Sequence, residues 1–140
     1  MQNKAEDNLI FIRLFPGEDL FQSLTKVCQK YKIKTAVILS GLGQLKNFKL
    51  GFLKEKGDYY PQEFAQTYEL LSLTGNISNQ NGEYKFHLHA VLGDQNKQVV
   101  GGHLISGTVE TTNEIVLLKT NLKIKRKFEP ASGLEGMFLE

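Results

Sequence analysis

The three histidines of this 140-residue chain all fall within the stretch FHLHAVLGDQNKQVVGGHL, as His87, His89 and His103. Neutral imidazole is a good ligand for zinc and similar ions, so the first question is whether three rings can converge on one ion. Side chains alternate faces along a strand, which puts His87 and His89 on one face about 6.5 Å apart at a rise of about 3.3 Å per residue. Tyr84, Phe86, Leu88, Ala90 and Leu92 make an unbroken apolar row on the other face, so the histidines point away from the main core.

Gly93-Asp94-Gln95-Asn96-Lys97 is rich in turn formers and separates two runs of strand character, which predicts a β-hairpin of residues 84–92 and 98–105. A loop of odd length, such as 95–97, sets His103 across from His89 with Cβ atoms about 5 Å apart, whereas a two-residue loop turns it to the opposite face. The odd register also sends Val100, Gly102 and Leu104 to the core side and Val99, Gly101 and Ile105 to the histidine side, so both faces make chemical sense. Three imidazoles leave a fourth position open, where a divalent metal, zinc above all, can acidify water or polarise a ligand oxygen. Glu110, Glu114 and Asp94 are the candidate carboxylates for proton transfer or for support of the ligands. The competing reading makes the histidines polar side chains at a subunit contact. Gly101 and Gly102 inside a strand mark a bulge or the close approach of another backbone, for which a neighbouring subunit is one source.

Two other patterns invite chemistry. Gly41 and Gly43 in SGLGQL follow a strand, as in a phosphate loop, but residues 45–54 look extended where a phosphate cradle needs a helix N-terminus. Lys123, Lys125, Arg126 and Lys127 form the basic run and alternate with Leu122, Ile124 and Phe128; they can line phosphates, though the same pattern describes a lysine-guarded edge strand. Cys28, the single cysteine, sits on a helical apolar stripe and reads as a small buried hydrophobe.

The elements that must position these groups are mostly strands. Residues 9–15 are dense in β-favouring types and stop at Pro16-Gly17. Leu20, Phe21, Leu24, Val27, Cys28 and Tyr31 then recur at helical steps, with Glu18 and Asp19 at the N-terminal end, predicting one helix over 18–31. Further strands are expected at 35–40, 48–54, 67–77, 84–92, 98–105, 114–118 and 122–128, with a surface loop at about 56–66. This is an α+β pattern, a mostly antiparallel twisted sheet with one main helix after the first strand. The composition, 41% hydrophobic and 23% charged, suits a single domain over 1–140 with a core of about 8–118 and a C-terminal extension at 119–140. No apolar run suggests a signal peptide or a membrane span, so a cytoplasmic protein is expected. A net charge of +2 neither demands nor excludes a nucleic-acid partner.

Taken together, the strand ending in Arg-Leu, the GED before the helix, SGLGQL, LSLTGNIS, HLHAVLGD and GGHLISGTV resemble the plant- and prokaryote-conserved domain over about residues 8–118. The most specific parts are HLHA at 87–90 and GGHL at 101–104. The resemblance implies a compact α+β subunit that assembles as a homotrimer, with histidines suited to metal, in a family often described as DNA-associated. The plant branch adds an Arg-Gly-Arg hook, and this chain has no such tract. Three functions follow: a trimeric metal-binding regulatory or DNA-associated module, a metal-dependent enzyme or small-molecule binder using the open position, and an interaction platform whose histidines only pack an interface.

Overall fold

The computed structural model describes residues 1–139. The chain runs β1 (Gln2–Glu6), β2 (Leu9–Leu14), α1 (Leu20–Lys30), β3 (Thr35–Gly51), β4 (Gln62–Phe64), β5 (Tyr68–Gln80), β6 (Glu83–Gly93), β7 (Val99–Thr120), β8 (Ile124–Glu129) and β9 (Leu134–Leu139). The named strand pairings are all antiparallel, and with one helix the fold is α+β. Among the described residues, no helix is long and apolar enough to cross a membrane.

Seven strands form one sheet in the order β1-β2-β7-β6-β5-β3-β4, and β3 pairs with β7 as well. The ring β3-β5-β6-β7 is therefore closed, and its inward faces supply Leu45, Phe48, Leu73, Leu88 and Leu104 to the buried core. Helix α1 buries Leu20, Leu24, Val27 and Cys28, and Phe21 meets Phe86 edge to face at 5.6 Å. Asp19 caps this helix by accepting from the Gln22 amide at 2.8 Å. Glu18 is drawn off instead to the Met1 ammonium at 2.9 Å and the Phe15 amide at 2.7 Å, so the helix starts two residues later than its periodicity predicts.

Two pairs of expected strands are single long ones. β3 runs through the residues expected to break at 41–47, and β7 runs through the polar stretch 106–113. Neither stretch has apolar alternation; 41–47 is held between β5 and β7, and 106–113 by its pairing with β3, which a local pattern does not reveal. At Gly43, with φ at 145°, a Cβ would stand 2.0 Å from the Thr112 carbonyl oxygen. The glycine of SGLGQL thus lets β3 cross β7 closely, and the chain continues as strand. β1 has no local sequence signal, because QNKAE has no hydrophobic face; it forms by pairing with β2. Short β4 lies inside the expected 56–66 loop.

The C-terminal segment forms a separate two-stranded sheet of β8 and β9. It is tied to the main sheet where the Arg126 amide donates to Gln80 Oε1 at 3.0 Å and the Arg126 guanidinium donates to Asn76 Oδ1.

Candidate metal centre

The hairpin of β6 and β7 has the odd register that brings the histidines together. Its loop is residues 95–97: the Asp94 amide donates to the Gln98 carbonyl at 2.9 Å, and Lys97 takes the left-handed conformation at φ 66°. Asp94 Oδ1 accepts from the Asn96 and Gln98 amides, at 2.8 Å each, which spends this side chain on the turn. His89 then pairs directly with His103, and Ala90 with Gly102.

The ring centroids of His87, His89 and His103 are 5.2, 5.4 and 5.5 Å apart, nearly an equilateral triangle. One nitrogen of each lies within 4.8 Å of the others. Ligands bonded at about 2.0–2.1 Å on a tetrahedral ion stand about 3.4 Å apart, so small side-chain rotations close the set. The Nδ1 of His103 is buried with no hydrogen-bond partner, an orphan that metal ligation would satisfy. Loss of water, then the neighbouring His87 and His89, push the His103 imidazole down to about 4. Loss of water, then His89 and Arg126, hold His87 below its ordinary value as well. Neutral rings are the form a metal needs. The donor set therefore fits a divalent ion, which would be held by these three nitrogens and supply Lewis acidity at an open position.

Two residues without a sequence signal for this site complete its walls. A β-hairpin-like turn, with Phe52 N donating to the Tyr59 carbonyl at 2.7 Å, sets Tyr59 beside Gly51, and Gly51 is the register partner of His103. The Tyr59 ring consequently lies 4.5 Å from the His103 ring. Asn76 faces His87 across β5 and β6 and accepts from Arg126. Together with the β8–β9 turn they line an open cavity of about 690 Å³ that includes His87 and His103. The backbone that approaches Gly102 is this chain's own: a Cβ there would meet the Gly51 carbonyl oxygen at 2.8 Å.

The remaining candidates lie elsewhere. Glu110 pairs with Lys46, and Glu114 sits opposite Arg13 on the β2 side of β7. These are seven and eleven positions along β7 from His103, about 23 and 36 Å of extended strand. Of the basic run, Lys123, Lys125 and Lys127 are exposed, whereas Arg126 is half-buried and belongs to the histidine cavity. The alternation carried that signal: Arg126 falls in step with Ile124 and Phe128, not with the lysines. Both strands of a two-stranded sheet are edges, which suits the lysine-guarded edge. Cys28 is fully buried, and burial pushes its thiol up to about 12.

Residues 1–121 match the model of the Plants and Prokaryotes Conserved domain. A plant- and prokaryote-conserved protein from Pyrococcus horikoshii has 33% identity and a TM-score of 0.83, covering 98% of this chain and 93% of its own. A metal-containing protein from Archaeoglobus fulgidus has 27% identity and a TM-score of 0.84, covering 98% and 96%. A Bacteroides thetaiotaomicron protein, described as a presumed DNA-binding protein, has 25% identity and a TM-score of 0.87, covering 99% and 96%. Among curated relatives, the bifunctional protein GlmU of a Synechococcus strain is 32% identical over 124 residues, 87% of this chain but 18% of that protein. The chain thus spans less than a fifth of that relative's length.

Proposed function

The chain belongs to the Plants and Prokaryotes Conserved domain family, and from that premise we propose that it is a divalent-metal-binding domain with His87, His89 and His103 as ligands. Zinc is the ion that three neutral imidazoles with one open position suit best. The observation that carries this reading is the hairpin register, which brings three ligating nitrogens within 4.8 Å. A metal-containing relative from Archaeoglobus fulgidus supports it. The test is elemental analysis of purified protein beside a His87→Ala, His89→Ala double variant. About one ion per chain in the wild type and none in the variant is expected; equal, negligible metal in both would sink the reading.

The reading includes a homotrimer of one-domain subunits working in the cytoplasm. Phe11, Val37, Leu39, Leu42 and Val91 are exposed on the sheet, an apolar surface of the kind that subunits cover. Light scattering decides this: a monomer mass at micromolar concentration would remove the trimer.

A regulatory, DNA-associated role is the second part of the proposal. It rests on Lys125 and Lys127 sharing one exposed face of β8, with exposed Lys123 just before the strand, and on the presumed role of the Bacteroides relative. Phosphate contacts by these lysines predict duplex binding that weakens steeply with salt. No binding at low salt would leave the alternative, an enzyme or small-molecule binder using the open position.

A further inference from the structure

Arg126 is the one cation of the basic run turned toward the histidines. It lies beyond residue 121, where the family match ends. Its placement is enforced twice, by the backbone amide on Gln80 and by the guanidinium on Asn76, whose register partner is His87. One donor of the fork stays unused: Nε is buried without a hydrogen-bond partner. A buried guanidinium N–H without an acceptor is costly, and it is the donor type best suited to carboxylate and phosphate oxygens.

The surroundings leave room for such an acceptor. The cavity of about 690 Å³ is of the size of small-molecule sites. Its two flaps meet where the Gly57 and Gly133 turns touch, a Cβ on Gly133 standing 2.8 Å from the Gly57 amide. The cavity's own carboxylates are engaged: Ser132 Oγ lies 3.4 Å from Glu129 Oε2, and Glu135 is 3.9 Å from Lys85 Nζ. Arg126 is thus the cation this wall offers, since Lys85 is paired with Glu83 and Glu135, although Glu135 also acts on Arg126.

We propose that this cavity binds a small oxyanion, a carboxylate or a phosphate, whose one end is held by the Arg126 guanidinium and whose other end reaches the open position at His87, His89 and His103. The inference rests on the metal reading, and it adds that the C-terminal hairpin is the anion-recognising wall of the site. Lys127, on the opposite face of the same strand, plays no part.

The test uses the full chain loaded with Co²⁺ and titrated with acetate and, separately, with inorganic phosphate, reading both the visible spectrum and the heat of binding. Saturable binding with a change in the Co²⁺ bands is expected for at least one anion, and the two arms say which class is preferred. Arg126→Ala should retain one Co²⁺ per chain while losing at least about tenfold in anion affinity, the order of a lost charged hydrogen bond. Arg126→Lys, which keeps the charge and disturbs the hairpin least, should lose less, and Lys127→Ala should match the wild type. Co²⁺ at one per chain with no anion response, or Arg126 variants that bind as well as wild type, would overturn this inference alone. A wild type that takes up no Co²⁺ would overturn the metal reading and this inference with it.

Discussion

The ring of Tyr59 lies 4.5 Å from the imidazole of His103 and is tilted by 31° to it. A loop residue between Gly57 and Pro61 thereby orients one corner of the histidine triangle. Aromatic pairs of this kind contribute about 0.5–1.5 kcal/mol. Tyr59→Ala should therefore weaken metal binding about two- to tenfold with little change in melting temperature, measured by competition with a chromogenic chelator.

Removing a ligand should cost more than removing its support. Loss of an outer partner typically costs about 10–100-fold in metal affinity. His103→Ala should exceed that range, and so should His89→Ala, since the two are direct cross-strand partners. A loss of less than tenfold for either, in the same competition assay, would count against its role as a ligand.

Gly75 gives a test of how the histidine strand is seated. Its φ is 146°, and a Cβ there would fall 2.0 Å from the His87 carbonyl oxygen. Gly82 also has positive φ, 88°, but its Cβ would meet nothing within 4 Å. Gly75→Ala should destabilise by several kcal/mol, because β5 and β6 must separate, while Gly82→Ala should cost about 1–3 kcal/mol of backbone strain alone. Urea unfolding of the two variants side by side compares them, and equal losses would show that β6 is not pinned at this point.

Acid should destabilise the metal-free protein through His103. Its folded-state value is near 4 against an ordinary 6.5, so below about pH 6.5 the unfolded chain takes up a proton that the folded chain refuses. Stability is full above that pH, falls as pH drops from 6.5 toward 4, and levels off below. Melting temperature followed from pH 7 to pH 5 should drop by several degrees in the wild type and by less in His103→Asn. Parallel curves would show that His103 does not carry the effect.

Much of the hairpin was legible because its signals are local. The alternation from Tyr84 to Leu92 marks one core face, and turn formers around Asp94 mark the reversal. The demand that Leu104 be buried while His103 joins the other histidines then selects the odd loop. Helix α1 was legible for the same reason, its apolar stripe ending near the capping Asp19. The long strands β3 and β7 were not, because residues such as Ser106 and Thr108 gain strand geometry only from pairing with Lys49 and Lys46, far away in the chain.

The sequence alone determined the α+β class, the shared face of His87 and His89, and the return of His103 to it, since a period of two and a turn length suffice for these. Only the tertiary structure decided what surrounds the triangle. Tyr59, Asn76 and Arg126 come from a loop, a neighbouring strand and the C-terminal hairpin, at separations along the chain for which no local pattern exists. It also assigned Asp94 to its turn and Glu110 to Lys46, because a side chain's partner depends on which strands pair, a property of the closed sheet and not of any one segment.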